Sequence, residues 1–433
     1  MDPSALPTAV RPEQNNRVRG HPHTARTATL LPLRHPADEV RADGTSWPHA
    51  VGKGVAAPGT AAASGHPGGS ARELPRHSPD GAKCALDRNA HLRGTNHLTL
   101  ARRKRRVSTS RDGVRFPYHA TIMPMIIDMH THAGRPHRSG PVDKTVLATM
   151  APSGMAAAVV SAIADLPMIR RNPRTKRLEK VRDPEPGECL QAVDDYLGSF
   201  EATGLRIARE PHDIRAGDPA LVFAVEGCDF LEGTLDRLDL LQDRGVRSIQ
   251  LTHYLVNETG DIQTAPPVHG GLTPFGADAV RRMNRLGIMV DVAHCSEDTV
   301  KGVVAVASRP ILCTHTNLKE PGHPDGDHPR YISLDYARMV AGTGGVIGAW
   351  IAVLWQERLA GLIRHMFRLI EAVGIDHVGI GSDLPAGAAR EAMPDFSRHH
   401  EIADALQRHG MTEDEVMKVC AGNWLRVFRA VRA

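Results

Sequence analysis

The sequence predicts an α/β protein folded as a (β/α)8 TIM-type barrel, and three observations support that prediction. Eight short apolar runs rich in Val, Ile and Ala alternate with amphipathic helical patterns along residues 123–433. The runs lack the alternation of a half-exposed sheet, as expected for parallel strands that are covered on both faces. Residue types that bind metals recur where the runs end, which is where such a barrel builds its active site.

The first predicted strand spans residues 125–132 and ends in Asp128-Met129-His130-Thr131-His132. Residues i and i+2 of a strand share a face, so the imidazoles of His130 and His132 can bind one metal ion. The other predicted strands span residues 156–163, 221–227, 248–254, 288–294, 310–315, 344–351 and 377–383. Eight strands with intervening helices favour a closed barrel over an open sheet.

Amphipathic patterns predict helices over residues 189–207, 235–244, 273–286, 296–307, 334–341 and 357–373. Ser296 and Ser333 precede acidic residues and are expected to be N-caps. Gly245, Gly287 and Gly374 stand where helices should end. No run approaches the roughly 20 apolar residues of a membrane span.

Residues 1–122 differ from the rest of the chain in composition and charge. They hold 19 Lys and Arg against 9 Asp and Glu, a net charge of about +10, whereas the remainder holds 34 against 40. They show no sustained periodicity, which predicts a disordered, low-complexity basic extension, or a misassigned start with translation beginning at Met123 or Met125. The cluster Arg102-Arg103-Lys104-Arg105-Arg106 could contact nucleic acid or form a solvated tail. The acidic barrel region gives no expectation of nucleic-acid binding.

The six cysteines are widely spaced and include no Cys-x-x-Cys pair: Cys84, Cys189, Cys228, Cys295, Cys313 and Cys420. This spacing predicts free thiols, a reducing compartment and therefore a cytoplasmic protein. Cys295 follows His294, but no second activating base accompanies it in sequence, so a nucleophilic role is not favoured.

Five further residues end predicted strands: Glu226, His253, His294, His315 and Asp383. Together with His130 and His132 they suit Zn²⁺ or a similar divalent ion. The histidines at positions 130 and 132 and at 294 and 315 form two groups, with Glu226 placed to bridge them. Two ions sharing a carboxylate and a hydroxide would supply a nucleophile at neutral pH.

Taken singly, several of these residues have simpler interpretations. Any one histidine could be a core or capping residue, and His253 could be structural. Asp383 could cap a helix or support a metal ligand. Glu226, in contrast, ends a very apolar strand, where an unpaired carboxylate is rarely tolerated. The shared position at strand ends favours one joint metal site.

The ordered motifs resemble the membrane (renal) dipeptidases, dinuclear zinc peptidases of the amidohydrolase superfamily. The resemblance covers residues 125–428 and leaves the first 120 or so unmatched. It rests on Asp128-Met-His130-Thr-His132, Val225-Glu226-Gly227, Leu251-Thr252-His253 with Asn257, Gly271-Leu-Thr-Pro-Phe-Gly276, Asp291-Val-Ala-His294-Cys-Ser296, Cys313-Thr-His315-Thr-Asn317, Asp327-His-Pro-Arg330, the run from Gly374 to Asp383, and Gly422-Asn-Trp-Leu-Arg-Val-Phe428.

The resemblance implies a role for each site residue. His130 and His132 would bind one zinc and His294 and His315 the other, with Glu226 bridging. Asp383 would act as general base and then general acid. His253 would stabilise the tetrahedral oxyanion, and Arg330 would bind the terminal carboxylate of the substrate.

Three positions depart from the pattern of that family. His132 stands where the family usually has Asp, which leaves the site one charge more positive. Cys228-Asp229 replaces Gly-His, and Leu384-Pro385-Ala386-Gly387 replaces a Phe-Asp-Gly sequence. The last two departures change the rim of the pocket and bear on substrate preference.

The sequence therefore predicts a zinc-dependent dipeptidase that accepts small substrates with a free carboxylate, including dipeptides with a D-residue at the C-terminal position. One alternative is another amidohydrolase that acts on N-acyl amino acids, lactams or lactones. The other is a non-catalytic metal-binding scaffold, which would have no need of the Asp383 proton shuttle. Association as a homodimer is left open.

Overall fold

Eight parallel strands close into a barrel, which confirms the predicted fold class. In the computed structural model the described residues are 125–134, 141–175, 178–323, 326–351, 354, 358–387 and 389–433. The strands are β1 (Ile126–Thr131), β2 (Met155–Ile163), β3 (Ile169–Arg171), β4 (Leu178–Lys180), β5 (Ala220–Glu226), β6 (Val246–Gln250), β7 (Met289–Asp291), β8 (Leu312–Thr316), β9 (Val346–Ala349) and β10 (Val378–Ile380). Around the barrel the order is β1-β2-β5-β6-β7-β8-β9-β10, and β10 pairs with β1.

Helices connect the barrel strands and cover them on the outside. They are α1 (Lys144–Ala148), α2 (Glu188–Glu201), α3 (Arg237–Asp243), α4 (Pro274–Leu286), α5 (Glu297–Val306), α6 (Leu334–Gly342), α7 (Arg358–Val373), α8 (Ala389–Ala392), α9 (His400–Arg408), α10 (Glu413–Met417) and α11 (Asn423–Arg432), with a π-helical turn at Lys418–Gly422. Short 3₁₀ turns lie at Ala151–Ser153, Pro211–Asp213, Ile375–His377 and Phe396–Arg398. The packing between strands and helices buries most of the apolar side chains of the described residues.

Most predicted helix ends agree with the structure, but the helix predicted over residues 189–207 is α2 (Glu188–Glu201) and ends six residues earlier. The Ser296 hydroxyl accepts a hydrogen bond from the Thr299 backbone N–H at the start of α5, and Ser333 caps α6 in the same way. Gly245, Gly287 and Gly374 have φ values of 101°, 67° and 90°, a region that favours glycine where a helix ends.

Other features differ from the prediction or were not predicted. The fourth predicted strand, residues 248–254, is Val246–Gln250, and the four residues beyond it belong to a loop. The fifth and eighth predicted strands, residues 288–294 and 377–383, are Met289–Asp291 and Val378–Ile380, so each ends three residues earlier than predicted. The antiparallel pair β3–β4 and the helices after β10 were not predicted.

The expectations for residues 1–122, including Cys84, the basic cluster and the alternative start codon, fall outside the described residues. The five described cysteines are buried free thiols. Among the described helices, none has the length and apolar character needed to cross a membrane.

Candidate active site

The predicted site residues gather at the carboxyl ends of the barrel strands. His130 lies in β1, Glu226 ends β5 and His315 lies in β8. His132 directly follows β1. His253, His294 and Asp383 each lie three residues beyond the last residue of their strand, in the loops after β6, β7 and β10. The barrel thus brings together residues that are up to 253 positions apart in sequence.

Glu226 is the centre of this cluster. Its Oε1 lies 3.3 Å from Nε2 of His294, 3.5 Å from Nε2 of His253, and 3.6 Å from the Nε2 atoms of His130 and His315. Its Oε2 lies 3.3 Å from Nε2 of His132. Glu226 is 2% exposed and the five histidines are 1–3% exposed. Five imidazoles therefore direct the same ring nitrogen at one buried carboxylate.

Burial controls the protonation of this cluster. It lowers the pKa of His130 to about 3, and it lowers the pKa values of His294 and His315 far below their usual range. Burial opposes ionisation of Glu226, but the surrounding imidazoles outweigh it and keep the pKa of Glu226 well below its usual value. At neutral pH these three imidazoles are thus neutral and Glu226 is ionised, the protonation states that metal binding requires. Burial opposes protonation of His132 as well, but the hydrogen bond to Glu226 outweighs it and raises the pKa of His132, so a metal ion would compete with a proton there.

The donor set fits divalent metal ions. Nε2 of His130 is buried and has no hydrogen-bond partner among the described residues. Three groups place their donor atoms within 4.8 Å of one another: His130 with Glu226 and His315; His130 with His132 and Asp383; Glu226 with His253 and His294. Imidazole and carboxylate donors in this combination suit zinc and similar ions.

Hydrogen bonds to Nδ1 fix the orientation of His132 and His315, whereas Nδ1 of His294 has no hydrogen-bond partner among the described residues. Nδ1 of His132 lies 2.8 Å from the Ser161 carbonyl oxygen. Nδ1 of His315 lies 3.1 Å from the Thr314 hydroxyl, which donates to Oδ2 of Asp291 over 2.5 Å. Such contacts keep Nε2 of each ring directed at the centre of the cluster.

Asp383 occupies the edge of the cluster. Its Oδ1 lies 3.6 Å from Nε2 of His132 and 4.0 Å from Nε2 of His130. Its backbone N–H donates to the His130 carbonyl over 2.9 Å, and its Oδ2 accepts from the Trp350 indole N–H over 3.0 Å. Burial raises the pKa of Asp383 to about 6. A carboxyl group with such a pKa can both accept and release a proton near neutral pH.

His253 is held by a carboxylate that the sequence analysis did not identify. Nδ1 of His253 lies 2.7 Å from Oδ1 of Asp165, and the Tyr254 backbone N–H donates to Oδ2 of Asp165 over 3.0 Å. Burial opposes protonation of His253, but Asp165 raises its pKa to about 9. At neutral pH the ring is therefore protonated and carries a hydrogen on both nitrogens, so Nδ1 donates to Asp165 and Nε2 can donate a hydrogen bond into the site. The only sequence signal for Asp165 is its position as the first acidic residue after β2.

Arg330 places a buried guanidinium beside the cluster. It is 5% exposed, and its Nη2 lies 3.1 Å from Nε2 of His315. Nη1 donates to Oε1 of Gln263, a second residue that the sequence analysis missed. No carboxylate among the described residues pairs with Arg330. A buried guanidinium of this kind suits an anionic group of a ligand.

Comparison with known proteins identifies relatives over much of the barrel. Residues 188–433 match the model of the membrane dipeptidase family, peptidase family M19. Dipeptidase tcpJ of Claviceps purpurea is 28% identical over 224 residues, which cover 50% of this chain and 52% of that protein. This chain spans between 52% and 63% of the length of the three curated dipeptidases compared with it.

Two solved structures have the same fold. An amidohydrolase from Pseudomonas aeruginosa has a TM-score of 0.58 and 19% identity, with 71% of this chain and 96% of that chain covered. A metallopeptidase from Rhodobacter sphaeroides, liganded with a phosphinate mimic of the dipeptide L-Ala-D-Ala, has a TM-score of 0.56 and 20% identity, with 71% and 99% covered. At these identities the likeness establishes the barrel fold.

Proposed function

This chain belongs to the membrane dipeptidase family, peptidase family M19, and on that basis we propose that it is a metal-dependent dipeptidase that hydrolyses the amide bond of dipeptides. The observation that carries the proposal is the convergence of five Nε2 atoms on Glu226, with Asp383 beside them. The range of substrates includes dipeptides with a D-residue at the C-terminal position. The ligand of the Rhodobacter sphaeroides metallopeptidase, a mimic of L-Ala-D-Ala, supports that choice.

Two zinc ions are the proposed cofactors. His130 and His132 would hold one ion, His294 and His315 would hold the other, and Glu226 would bridge them. When bound, the ions would make a coordinated water acidic enough to act as a nucleophile at neutral pH and would polarise the amide carbonyl. The clustering of Nε2 atoms within 4 Å of the Glu226 carboxylate supports this assignment.

Three other residues would act directly on the substrate. Asp383 would accept a proton from the attacking water at Oδ1 and deliver it to the leaving amine nitrogen. His253 would donate from Nε2 to the oxyanion of the tetrahedral intermediate. Arg330 would bind the terminal carboxylate, and Gln263 would orient its guanidinium. The proposed compartment is the cytoplasm, where the five free buried thiols would stay reduced.

The proposal is tested by hydrolysis of a panel of L-L dipeptides, L-D dipeptides, N-acyl amino acids, lactams and lactones. The zinc-loaded protein and its Asp383→Asn variant are compared, and bound metal is measured for both by mass spectrometry. We expect dipeptide turnover that falls by about 100-fold or more in the variant while about two metal ions per chain remain bound. Asp278→Asn, at an exposed position on α4 that pairs with Arg281, is the matched control and should keep full activity.

Each other outcome points to a different conclusion. Turnover of N-acyl amino acids, lactams or lactones with no dipeptide turnover would favour the broader amidohydrolase function. Bound metal without turnover of any substrate would favour a non-catalytic scaffold. A protein that binds no metal would contradict the proposal.

A further inference from the structure

Trp350 connects two groups to which the proposed function gives different tasks. It directly follows β9 and is 6% exposed. Its indole N–H donates to Oδ2 of Asp383 over 3.0 Å, and its ring centroid lies 5.4 Å from Cζ of Arg330. We propose that Trp350 is a positioning residue that directs Oδ1 of Asp383 toward the reacting water and holds Arg330 for the substrate carboxylate. This inference rests on the proposed function.

The hydrogen bond makes the two oxygens of Asp383 inequivalent. An indole N–H can only donate, so it engages Oδ2 and leaves Oδ1 beside the Nε2 atoms of His132 and His130. In the proposed reaction the proton moves from the water to Oδ1 and then to the amine nitrogen. Trp350 itself exchanges no proton and acts through the orientation of the carboxylate.

The backbone of Trp350 is fixed by one buried side chain. The Trp350 N–H donates to Oδ1 of Asn317 over 3.1 Å, and Nδ2 of Asn317 donates to the Trp350 carbonyl over 2.8 Å. Asn317 is fully buried and directly follows β8, the strand that carries His315. The indole position is thereby tied to the strand of a proposed metal ligand.

The ring of Trp350 also contacts Arg330. A guanidinium within about 6 Å of an indole centroid is attracted by the ring quadrupole. Arg330 has no carboxylate partner among the described residues, so its direction is fixed by the indole, by Gln263 and by His315, whose carbonyl oxygen accepts from Nη2 over 3.4 Å. One side chain therefore positions the proposed base and the proposed carboxylate-binding group together.

The test is steady-state kinetics of Trp350→Phe and Trp350→Leu with a dipeptide substrate. Phe keeps an aromatic ring near Arg330 but lacks the N–H, so we expect kcat to fall on the order of 10-fold with KM within about 2-fold of wild type. Leu lacks both features, so KM should also rise by about 2- to 5-fold. Trp424→Phe is the matched control: Trp424 is 2% exposed, its Nε1 has no hydrogen-bond partner among the described residues, and kcat should not change.

Further measurements separate positioning from a merely structural role. In an Asp383→Glu background, the hydrogen bond between the indole and the carboxylate is already disturbed. The additional change Trp350→Phe removes the same hydrogen bond, so it should alter kcat by less than about 2-fold. Binding of alanine, a product-like amino acid, should weaken in Trp350→Leu and not in Trp350→Phe. Wild-type kcat in Trp350→Phe, or equal effects of Trp350→Phe and Trp424→Phe, would overturn the inference. A wild-type protein with no dipeptide turnover would instead refute the proposed function, while alanine binding would still report on the contact with Arg330.

Discussion

Two residues of the site have backbone conformations that side chains rarely adopt. His294 has a φ of 67° and Asp383 a φ of 56°. Such conformations cost about 1–3 kcal/mol each and persist where the surrounding structure fixes them. The Gln263 N–H donates to the His294 carbonyl over 2.8 Å, and the Asp383 N–H donates to the His130 carbonyl over 2.9 Å. Both side chains are therefore turned into the site by strained loop ends that the neighbouring elements hold in place.

Asp165 gives a prediction at the scale of one residue. Its carboxylate holds Nδ1 of His253 and raises the pKa of that ring, so Asp165→Asn should lower the pKa of His253 and allow the imidazole to adopt another orientation. We expect kcat for dipeptides to fall on the order of 10- to 100-fold while the bound metal content stays the same. Steady-state kinetics and metal analysis on the same preparation test this.

A double variant provides the control for that prediction. In a His253→Asn background, adding Asp165→Asn should change kcat little, because the interaction that Asp165 supports is already lost. Equal effects of Asp165→Asn in both backgrounds would show that Asp165 acts independently of His253. A large loss of metal in Asp165→Asn alone would indicate that His253 is a metal ligand.

The eight residues proposed for the site could be found from sequence because each lies in or near the end of an apolar run, or in a family motif. Asp165, Gln263 and Trp350 could not be found in this way. Asp165 is 88 residues from His253, and Trp350 is 33 residues from Asp383. Their roles depend on which loops become neighbours around the barrel mouth, and spacing along the chain does not reveal that.

At the scale of elements, the predicted strands agree with the structure because each one is a run of buried apolar residues, and such runs recur along the chain. The strands were recognisable because parallel strands buried on both faces are continuously apolar. The predicted ends of the strands were less accurate. Residues 251–254 are also mostly buried, so their composition resembles that of a strand, but they lie in a loop that carries His253. The β3–β4 pair was missed because its strands have three residues each and are largely exposed.

Two glycines give a prediction about the packing of β8, β9 and the loop after β10. A Cβ atom added to Gly348 would lie 1.9 Å from the Thr314 carbonyl oxygen, and one added to Gly381 would lie 1.8 Å from the same atom. Because that atom belongs to the backbone of β8, either Gly→Ala change must displace a strand. We expect a loss of about 3 kcal/mol or more in the free energy of unfolding, measured by urea denaturation.

Gly342→Ala is the matched control for those changes. An added Cβ at Gly342, the last residue of α6, meets no atom within 4 Å. The free energy of unfolding should therefore change by less than about 1 kcal/mol, in the stabilising direction. Wild-type stability in Gly348→Ala or Gly381→Ala would mean that a Cβ atom fits at these positions and that the Thr314 carbonyl oxygen lies further away than 1.8–1.9 Å.

At the scale of the whole molecule, the cluster joins most of the barrel. Histidines from β1 and β8 and from the loops after β1, β6 and β7 lie within 4 Å of Glu226 at the end of β5, and Asp383 from the loop after β10 lies 3.6 Å from one of them, His132. An ion bound there would contact residues that are far apart in sequence, and an unfolded chain would not reproduce that site. Metal binding should therefore stabilise the barrel as a unit.

Removal of metal gives the corresponding prediction. A ligand that binds only the folded state, at a free concentration of about 1,000 times its Kd, adds about 4 kcal/mol to the free energy of unfolding. Chelation of the bound metal should therefore lower Tm by several degrees, and added zinc should restore the original Tm. His315→Ala should show a smaller difference between the chelated and zinc-loaded forms, because one proposed ligand is missing. His212→Asn alters a histidine whose side chain is 78% exposed, outside the cluster, and should keep the full difference. An unchanged Tm in protein that mass spectrometry shows to have lost its metal would mean that the folded barrel does not depend on the ions, and that the imidazoles and Glu226 hold their places without them.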